Sequence, residues 1–275
     1  MATDAETIAH VREVGRAVQR EAAAMARDWR GRDAAGWEAP TACREWTVKD
    51  VAAHVTDGAE RAVVVARAAL AGEPVPQYDT AERRRRHAAL RALSGDELAV
   101  RLQRDLATVF QELDGVPAAT LHGTTANLGG GPHTMAQFAD QRLVETGLHA
   151  WDIRAGSDPD ATLPPETAAA IIDFVLWRVP RLAGHSEARG VAPRYLCALE
   201  GAGGGPVTLA ISPDAITATR TPDASADPAL NLPVEAFIRL VWGRLDVPRA
   251  LGSGVIRTRA PRDEMVALGA LFPGH

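Results

Sequence analysis

Apolar residues recur at intervals of three and four through the first half of the chain, which is the spacing of one buried face of an α-helix. Val11 and Val14 start the pattern, and Leu98 and Leu102 belong to a later repeat of it. Clusters of glycine and proline separate the repeats. The sequence therefore predicts four helices over residues 5–156, enough for an antiparallel four-helix bundle.

Capping-box patterns mark two of the predicted helix starts, because a threonine followed three residues later by an acid or amide can satisfy two free backbone N–H groups. Thr47 with Asp50 is one such pair, and Thr134 with Gln137 is another. We expect helices over residues 47–70, over 80–113 with a break at Ser94–Gly95, and over 134–156.

The pattern changes after residue 157. Three short apolar and β-branched runs predict strands at residues 195–199, 207–211 and 215–219. Helices are expected over residues 165–182 and 234–244, the second capped by Asn231. The chain is therefore predicted to be an α+β protein, with a helical domain over residues 1–157 and a small α/β sandwich-like domain over 158–275.

Charge and cysteine content argue against several classes of function. A net charge of -5 gives no general attraction to nucleic acid or to an anionic membrane, and no apolar run approaches the roughly 20 residues that span a bilayer. Two cysteines are too few for a disulfide framework, and the polar N-terminus is unlike a signal peptide. We expect a cytoplasmic monomer or homodimer that acts on small molecules, without nucleic-acid or membrane partners.

Glu145 and His149 are the best candidates for metal ligands. They lie four residues apart on one predicted helix, so their side chains share a face and can reach one ion. His54 lies on another helix, and a bundle can direct it into the same core. One glutamate and two histidines suit catalytic zinc, but the same set binds non-haem iron. Taken singly, the pair is more typical of a surface pair or a helix-dipole contact, and His54 of a satisfied core or surface histidine.

Two motifs surround these candidate ligands. Residues 45–54 read EWTVKDVAAH and residues 145–153 read ETGLHAWDI, and LVWGR follows at 240–244. In this order, the three segments resemble the mycothiol-dependent maleylpyruvate isomerase family, with its W-T-V-x-D-x-x-x-H and E-x-x-x-H-x-W-D motifs. The resemblance implies a DinB-like four-helix domain followed by a domain similar to sterol carrier proteins. It also implies zinc held by the positions of His54, Glu145 and His149, and mycothiol as a thiol cofactor.

Three further residues are candidates for supporting roles. Asp152 shares a helix face with His149 and is expected either to orient a ligand imidazole or to pair with an arginine near the helix end. Gln141, one turn before Glu145, is expected to hydrogen-bond within the bundle rather than to contact substrate. Arg244 is expected to hold a substrate carboxylate, unless it only stabilises the C-terminus of its predicted helix.

For the other polar residues, a structural or solvent-exposed position is the more common explanation. Consecutive residues point in different directions around a helix, so the basic run at 83–87 is expected to be a solvated face from which one side chain could still reach the cleft. His122 and His133 flank a glycine-rich loop predicted to be flexible, and they are acid/base candidates that are more often simply exposed. Cys43 is expected to be buried as a small hydrophobe rather than to act as a reactive thiol.

The leading functional hypothesis is therefore a metal-dependent isomerase or S-transferase that uses mycothiol or another small thiol. The substrate is expected to be a small electrophile that carries a carboxylate. One alternative is a metal-dependent hydrolase, lyase or cyclase that needs no thiol. Another is a protein that binds a metal or small ligand without catalysis. Zinc is the expected ion, with iron or another divalent metal as the alternative.

Overall fold

The computed structural model describes residues 3–76, 79–127, 131–184, 190–221 and 229–274. The chain divides into two compact units, Met1–Ala161 and Thr162–His275. Helices dominate the first unit, and the second contains a five-stranded sheet with helices, which confirms the predicted α+β class. A domain boundary after Ser157 and a likeness of the second unit to sterol carrier proteins stay predictions. The predicted flexible loop falls mainly on residues 128–130, which lie outside the described residues.

The first unit is built from four long helices joined by shorter elements. In chain order, its elements are α1 (Asp4–Arg30), α2 (Ala34–Trp37), α3 (Val48–Ala71), α4 (Thr80–Arg91), α5 (Gly95–Leu113), α6 (Ala118–Gly123), β1 (Thr125–Asn127), β2 (Pro132–Thr134) and α7 (Met135–Ala155). Helix α1 packs on α5 and α7, and α3 packs on the same two helices. This is the neighbour pattern of four helices around one core, which contains Val14, Val51, Leu102 and Phe138.

The two helices that carry the candidate ligands begin where the capping patterns predict. The Thr47 side chain accepts from the Asp50 N–H, and the Asp50 carboxylate accepts from the Thr47 N–H. Thr134 and Gln137 form the same reciprocal pair at the start of α7. Because each box satisfies N–H groups that would otherwise lack partners, the first turn of each helix is fixed by its own sequence.

The segment 40–47 folds back against the C-terminal end of α7. Its ends pair with each other through Pro40 and Thr47, and the Ala42 N–H donates to the Asp152 carbonyl at 2.9 Å. Gly156 allows the segment to approach, since a Cβ at this position would lie 2.2 Å from the Pro40 carbonyl oxygen. The turn also requires a left-handed backbone at Glu45, with φ of 64°.

The second unit contains a mixed sheet with the strand order β5-β4-β3-β6-β7. Strands β3 and β6 are parallel, and the other neighbours are antiparallel. Helix α8 packs on α9 and on β5. The elements are α8 (Pro165–Leu182), β3 (Arg194–Glu200), β4 (Gly205–Ile211), β5 (Ile216–Arg220), β6 (Leu230–Pro233), α9 (Val234–Val241), α10 (Val247–Gly252), β7 (Arg257–Thr258) and α11 (Arg262–Ala270).

Two details predicted for the second unit are wrong. Asn231 does not cap α9, because its backbone pairs with Ala198 in the sheet, and the helix begins after Pro233 without a side-chain cap. Helix α9 also ends earlier than predicted, at Val241, where a turn through Gly243 with φ of 66° leaves the helical path. Arg244 therefore lies beyond the helix rather than on its last turn.

Among the described residues, no helix is both long enough and apolar enough to cross a membrane.

Candidate metal centre

Three side chains from two helices meet in the first unit. His54 comes from α3, and Glu145 and His149 come from successive turns of α7. The Nε2 atoms of both histidines lie 3.7 Å from the Glu145 Oε2 atom. One donor atom from each residue can be chosen so that all three lie within 4.8 Å of one another. The structure thus brings together the three residues that the sequence selects as a ligand set.

Asp152 fixes the orientation of the His149 ring. Its Oδ2 atom lies 2.9 Å from His149 Nδ1, and the aspartate side chain is completely buried. A carboxylate on Nδ1 favours the tautomer that carries its proton there, which leaves Nε2 with a free lone pair directed toward Glu145. Of the two roles considered for Asp152, this contact is the one expected of an acceptor that orients the His149 imidazole, and a role in metal binding stays a prediction.

Glu145 is held as an anion by its surroundings. Burial by itself raises the pKa of the carboxyl group, but favourable interactions with His54, His149 and Arg142 outweigh burial and hold the pKa well below its usual range. Gln141 contributes to the same arrangement, since its Nε2 atom donates to Glu145 Oε1 at 2.7 Å. Gln141 therefore binds Oε1 of Glu145, and the second carboxylate oxygen, Oε2, faces the two histidines.

Trp46 is part of this site, although the sequence singles it out only as a motif residue. Its ring centroid lies 4.9 Å from that of His54 and 6.2 Å from that of His149, with the His149 ring nearly parallel to it. The two imidazoles face each other edge-on at 4.9 Å. Trp46 therefore limits the directions from which solvent or a ligand can reach the histidines.

Arg142 is the second residue that sequence reasoning missed. It lies three residues before Glu145, so the helical spacing that selects His149 would also have selected it. Its side chain is buried, with Nη1 3.4 Å from the Gly58 carbonyl oxygen and the guanidinium over the Phe138 ring. Burial is the main reason that the pKa of Arg142 is lowered, and Glu145 opposes that shift.

A cleft of about 460 Å³ opens beside His54 and Trp46. One face of α4, along its whole length, lines the cleft, and residues of α3 line it as well. The basic run at 83–87 is therefore not wholly a solvated face. Its residues divide between those that line the cleft, namely Arg83, Arg84 and His87, and those that do not, namely Arg85 and Arg86.

The remaining candidates have local structural roles. His122 is exposed and its Nε2 atom lies 3.0 Å from the Thr7 hydroxyl. His133 is buried rather than exposed as expected, because it lies on β2 with Nδ1 2.9 Å from the Gly131 carbonyl oxygen. Cys43 is half-buried rather than buried, because it lies in the tight 40–47 turn.

Arg244 belongs to the second unit. Its Nη1 atom donates to the Trp242 carbonyl at 3.2 Å, and its neighbour Gly243 forms the turn that follows α9. A role for Arg244 in holding a substrate carboxylate stays a prediction.

The donor chemistry of the site fits a divalent cation. Two imidazole nitrogens and one carboxylate oxygen are ligands of zinc and of non-haem iron. A separation of 3.7 Å between donors suits two ligands of one ion with bonds of about 2.1 Å. Asp152 and Gln141 supply the outer hydrogen bonds that usually orient such ligands.

Comparison with curated protein sequences gives no significant match. Two solved structures are similar in fold: a mycothiol-dependent maleylpyruvate isomerase and a histidine-to-alanine mutant of such an enzyme. Each comparison covers 89% of this chain and 90% of the other, with a TM-score of 0.56 and sequence identities of 17% and 15%. The family model described as the mycothiol maleylpyruvate isomerase N-terminal domain matches residues 18–154, the segment that contains all three candidate ligands. Residues 18–154 are therefore a mycothiol maleylpyruvate isomerase N-terminal domain, and over most of its length the chain shares the fold of the two solved structures.

Proposed function

We propose that this protein is a metal-dependent enzyme that uses a small thiol, by expectation mycothiol, to isomerise or S-conjugate a small electrophile. The observation that carries the proposal is the convergence of His54, Glu145 and His149, whose donor atoms lie within 4.8 Å of one another. The family match over residues 18–154 supports mycothiol as the thiol. Cytoplasmic location is the expectation that goes with such a substrate and thiol.

His54, Glu145 and His149 would hold the ion, and zinc is the metal that we expect. A divalent cation with an open position lowers the pKa of a thiol that reaches it, so that the thiolate is available near neutral pH. Asp152 keeps the His149 proton on Nδ1, and Gln141 restrains the Glu145 carboxylate. Trp46 covers one side of the two imidazoles and restricts access to them.

Mycothiol would supply a nucleophilic thiolate that could add to an activated C=C bond and leave again for an isomerase, or stay on the protonated product for an S-transferase, with nothing oxidised or reduced in either case. His54, Glu145 and His149 would hold the ion beside which that thiolate forms.

The test compares His54→Ala with His122→Ala, an exposed histidine of the same unit. We expect the wild type and His122→Ala to retain stoichiometric zinc by elemental analysis and to bind mycothiol by calorimetry. His54→Ala should lose most of the metal and all activity. Stoichiometric zinc with full activity in His54→Ala would refute the proposal.

The same measurements separate the alternatives considered from sequence. A protein that binds zinc but shows no heat with mycothiol or other thiols would point to a thiol-independent hydrolase, lyase or cyclase. Tight binding of one small molecule without turnover of any electrophile would point to a protein that binds without catalysis.

A further inference from the structure

One face of α4 places basic side chains on the cleft next to the candidate metal centre. Residues 80, 83, 84, 87, 88 and 91 all line that cleft. These positions recur at intervals of three and four, which is one face of a helix. Four of the six are basic: Arg83, Arg84, His87 and Arg91.

The arginines of α4 have two different roles. Arg86 faces α3 and is bound by Asp57 at 2.6 Å and by Glu60 at 2.8 Å. Arg91, on the cleft, is neutralised by Asp50. These ion pairs attach α4 to α3, and they account for the acidic residues of α3 that face α4.

Arg83 and Arg84 are left over from this pairing. Neither has an acidic partner among the residues that the structure describes, and both are exposed and line the cleft. The one acidic side chain in the lining, Asp57, is occupied by Arg86. The α4 side of the cleft therefore carries positive charge that none of the described acidic residues neutralises.

Ring contacts among residues of the same cleft connect this charge to the candidate metal centre. His87 lies one turn after Arg83 and Arg84, and its ring centroid is 6.3 Å from that of Trp46. The Trp46 centroid is in turn 4.9 Å from that of His54. A ligand lying along this path has guanidinium groups at one end, aromatic rings in the middle and a candidate metal ligand at the other end.

We infer that Arg83 and Arg84 bind a carboxylate of the substrate, so that this cleft selects small carboxylic acids. Guanidinium groups bind carboxylates through paired, charge-assisted hydrogen bonds, which suits an anion held on the α4 side of the cleft. The Trp46 ring would cover the carbon chain between that carboxylate and the reacting carbon. The inference deepens the proposed function and rests on it for what the ligand does, but the binding itself requires no turnover.

The test uses succinate as the probe, with dimethyl succinate as its uncharged counterpart. Binding is measured by calorimetry for the wild type, for Arg83→Gln/Arg84→Gln and for Arg85→Gln. Arg85 is the matched control because it is an exposed arginine of the same helix that pairs with Glu82 and does not line the cleft. Elemental analysis should show the same zinc content in all three proteins, because none of these residues is a candidate ligand.

We expect succinate to bind the wild type and Arg85→Gln alike and to bind the double variant at least about tenfold more weakly. Raising the ionic strength should weaken binding to the wild type more than to the double variant. Dimethyl succinate should not distinguish the three proteins. Equal binding of succinate to the wild type and the double variant, or no binding to the wild type, would overturn the inference.

Repeating the titration after chelation separates this inference from the proposed function. Arginine-dependent binding that persists after chelation would support the carboxylate site independently of the metal. If the protein also holds no zinc and shows no activity with thiols before chelation, the metal-dependent enzyme is refuted while the carboxylate site stands. Binding of succinate that needs zinc but not Arg83 and Arg84 would refute the carboxylate site and would support the metal centre.

Discussion

Helices α7 and α8 differ in what they bury. Six polar or charged side chains of α7 are buried, namely Asp140, Gln141, Arg142, Thr146, His149 and Asp152, whereas α8 buries one, Thr167. Each polar group taken out of water costs free energy unless another group satisfies it, so a helix built only for packing would not contain so many. The buried face of α8 is that of a helix that only packs against its neighbours, whereas the buried polar residues of α7 are those of a helix that carries a functional site.

If this difference is functional, removing metal should affect α7 and spare α8. At a free zinc concentration of about 1,000 times Kd, bound metal stabilises its unit by about 4 kcal/mol, which a chelator should remove. We expect hydrogen exchange to show the loss of protection in α7 and α3 and little change in α8. His54→Ala should already exchange like the chelated protein, and an equal effect of chelator on that variant would contradict the metal site.

A substitution in the core around α8 should do the opposite: it should lower stability and leave metal binding unchanged. Ile171 is fully buried, and Ile171→Ala should lower the free energy of unfolding by about 3 kcal/mol because it leaves a cavity in an apolar core. Denaturant unfolding measures this loss, and Ile171→Val should show about 1 kcal/mol. Zinc content should be unchanged in both variants. Loss of zinc in Ile171→Ala would mean that the division between a packing helix and a site helix is false.

Within α7, the two buried aspartates provide a finer comparison. Asp152 contacts His149, whereas Asp140 lies 2.7 Å from His10. Asp152→Asn should weaken zinc binding by about 10–100-fold, because a neutral amide no longer favours the His149 tautomer with its proton on Nδ1. Asp140→Asn should leave the affinity for zinc unchanged in a competition titration. Equal affinities in the two variants would remove Asp152 from the site.

The smallest effect concerns how α7 begins. Thr134→Ala removes the capping hydroxyl and should lower the free energy of unfolding by about 1 kcal/mol, as measured by denaturant titration. Thr134→Ser keeps the hydroxyl and is the control. An unchanged stability in Thr134→Ala would show that tertiary packing, rather than the capping box, fixes this end of the helix.

Local rules explain why part of the site is predictable. The capping boxes at Thr47 and Thr134 depend on residues three apart, and the approach of Glu145 to His149 depends only on helical geometry. The sequence could therefore place these elements without knowledge of the rest of the chain. The position of His54 beside them needs the packing of α3 on α7, which the predicted bundle allows but does not fix.

Other features depend on distant contacts and were missed. Trp46 reaches the histidines only because the 40–47 segment turns at Glu45 and rests on α7. Which arginines of the 83–87 run face the cleft depends on the rotation of α4, and this is set by the pairing of Arg86 with Asp57 and Glu60 on α3. The error at Asn231 has the same origin, because its partner strand lies more than 30 residues away in the sequence.

Gly156 shows how far the requirements of this centre extend beyond its chemistry. The residue offers no functional group, yet any side chain here would overlap the Pro40 carbonyl and displace the segment that carries Trp46. Asp152 is bound to the same segment through its carbonyl oxygen, so the displacement would also reach the residue that orients His149. In a saturation mutagenesis screen for activity, position 156 should therefore tolerate as few substitutions as the three ligand positions, for reasons of space alone.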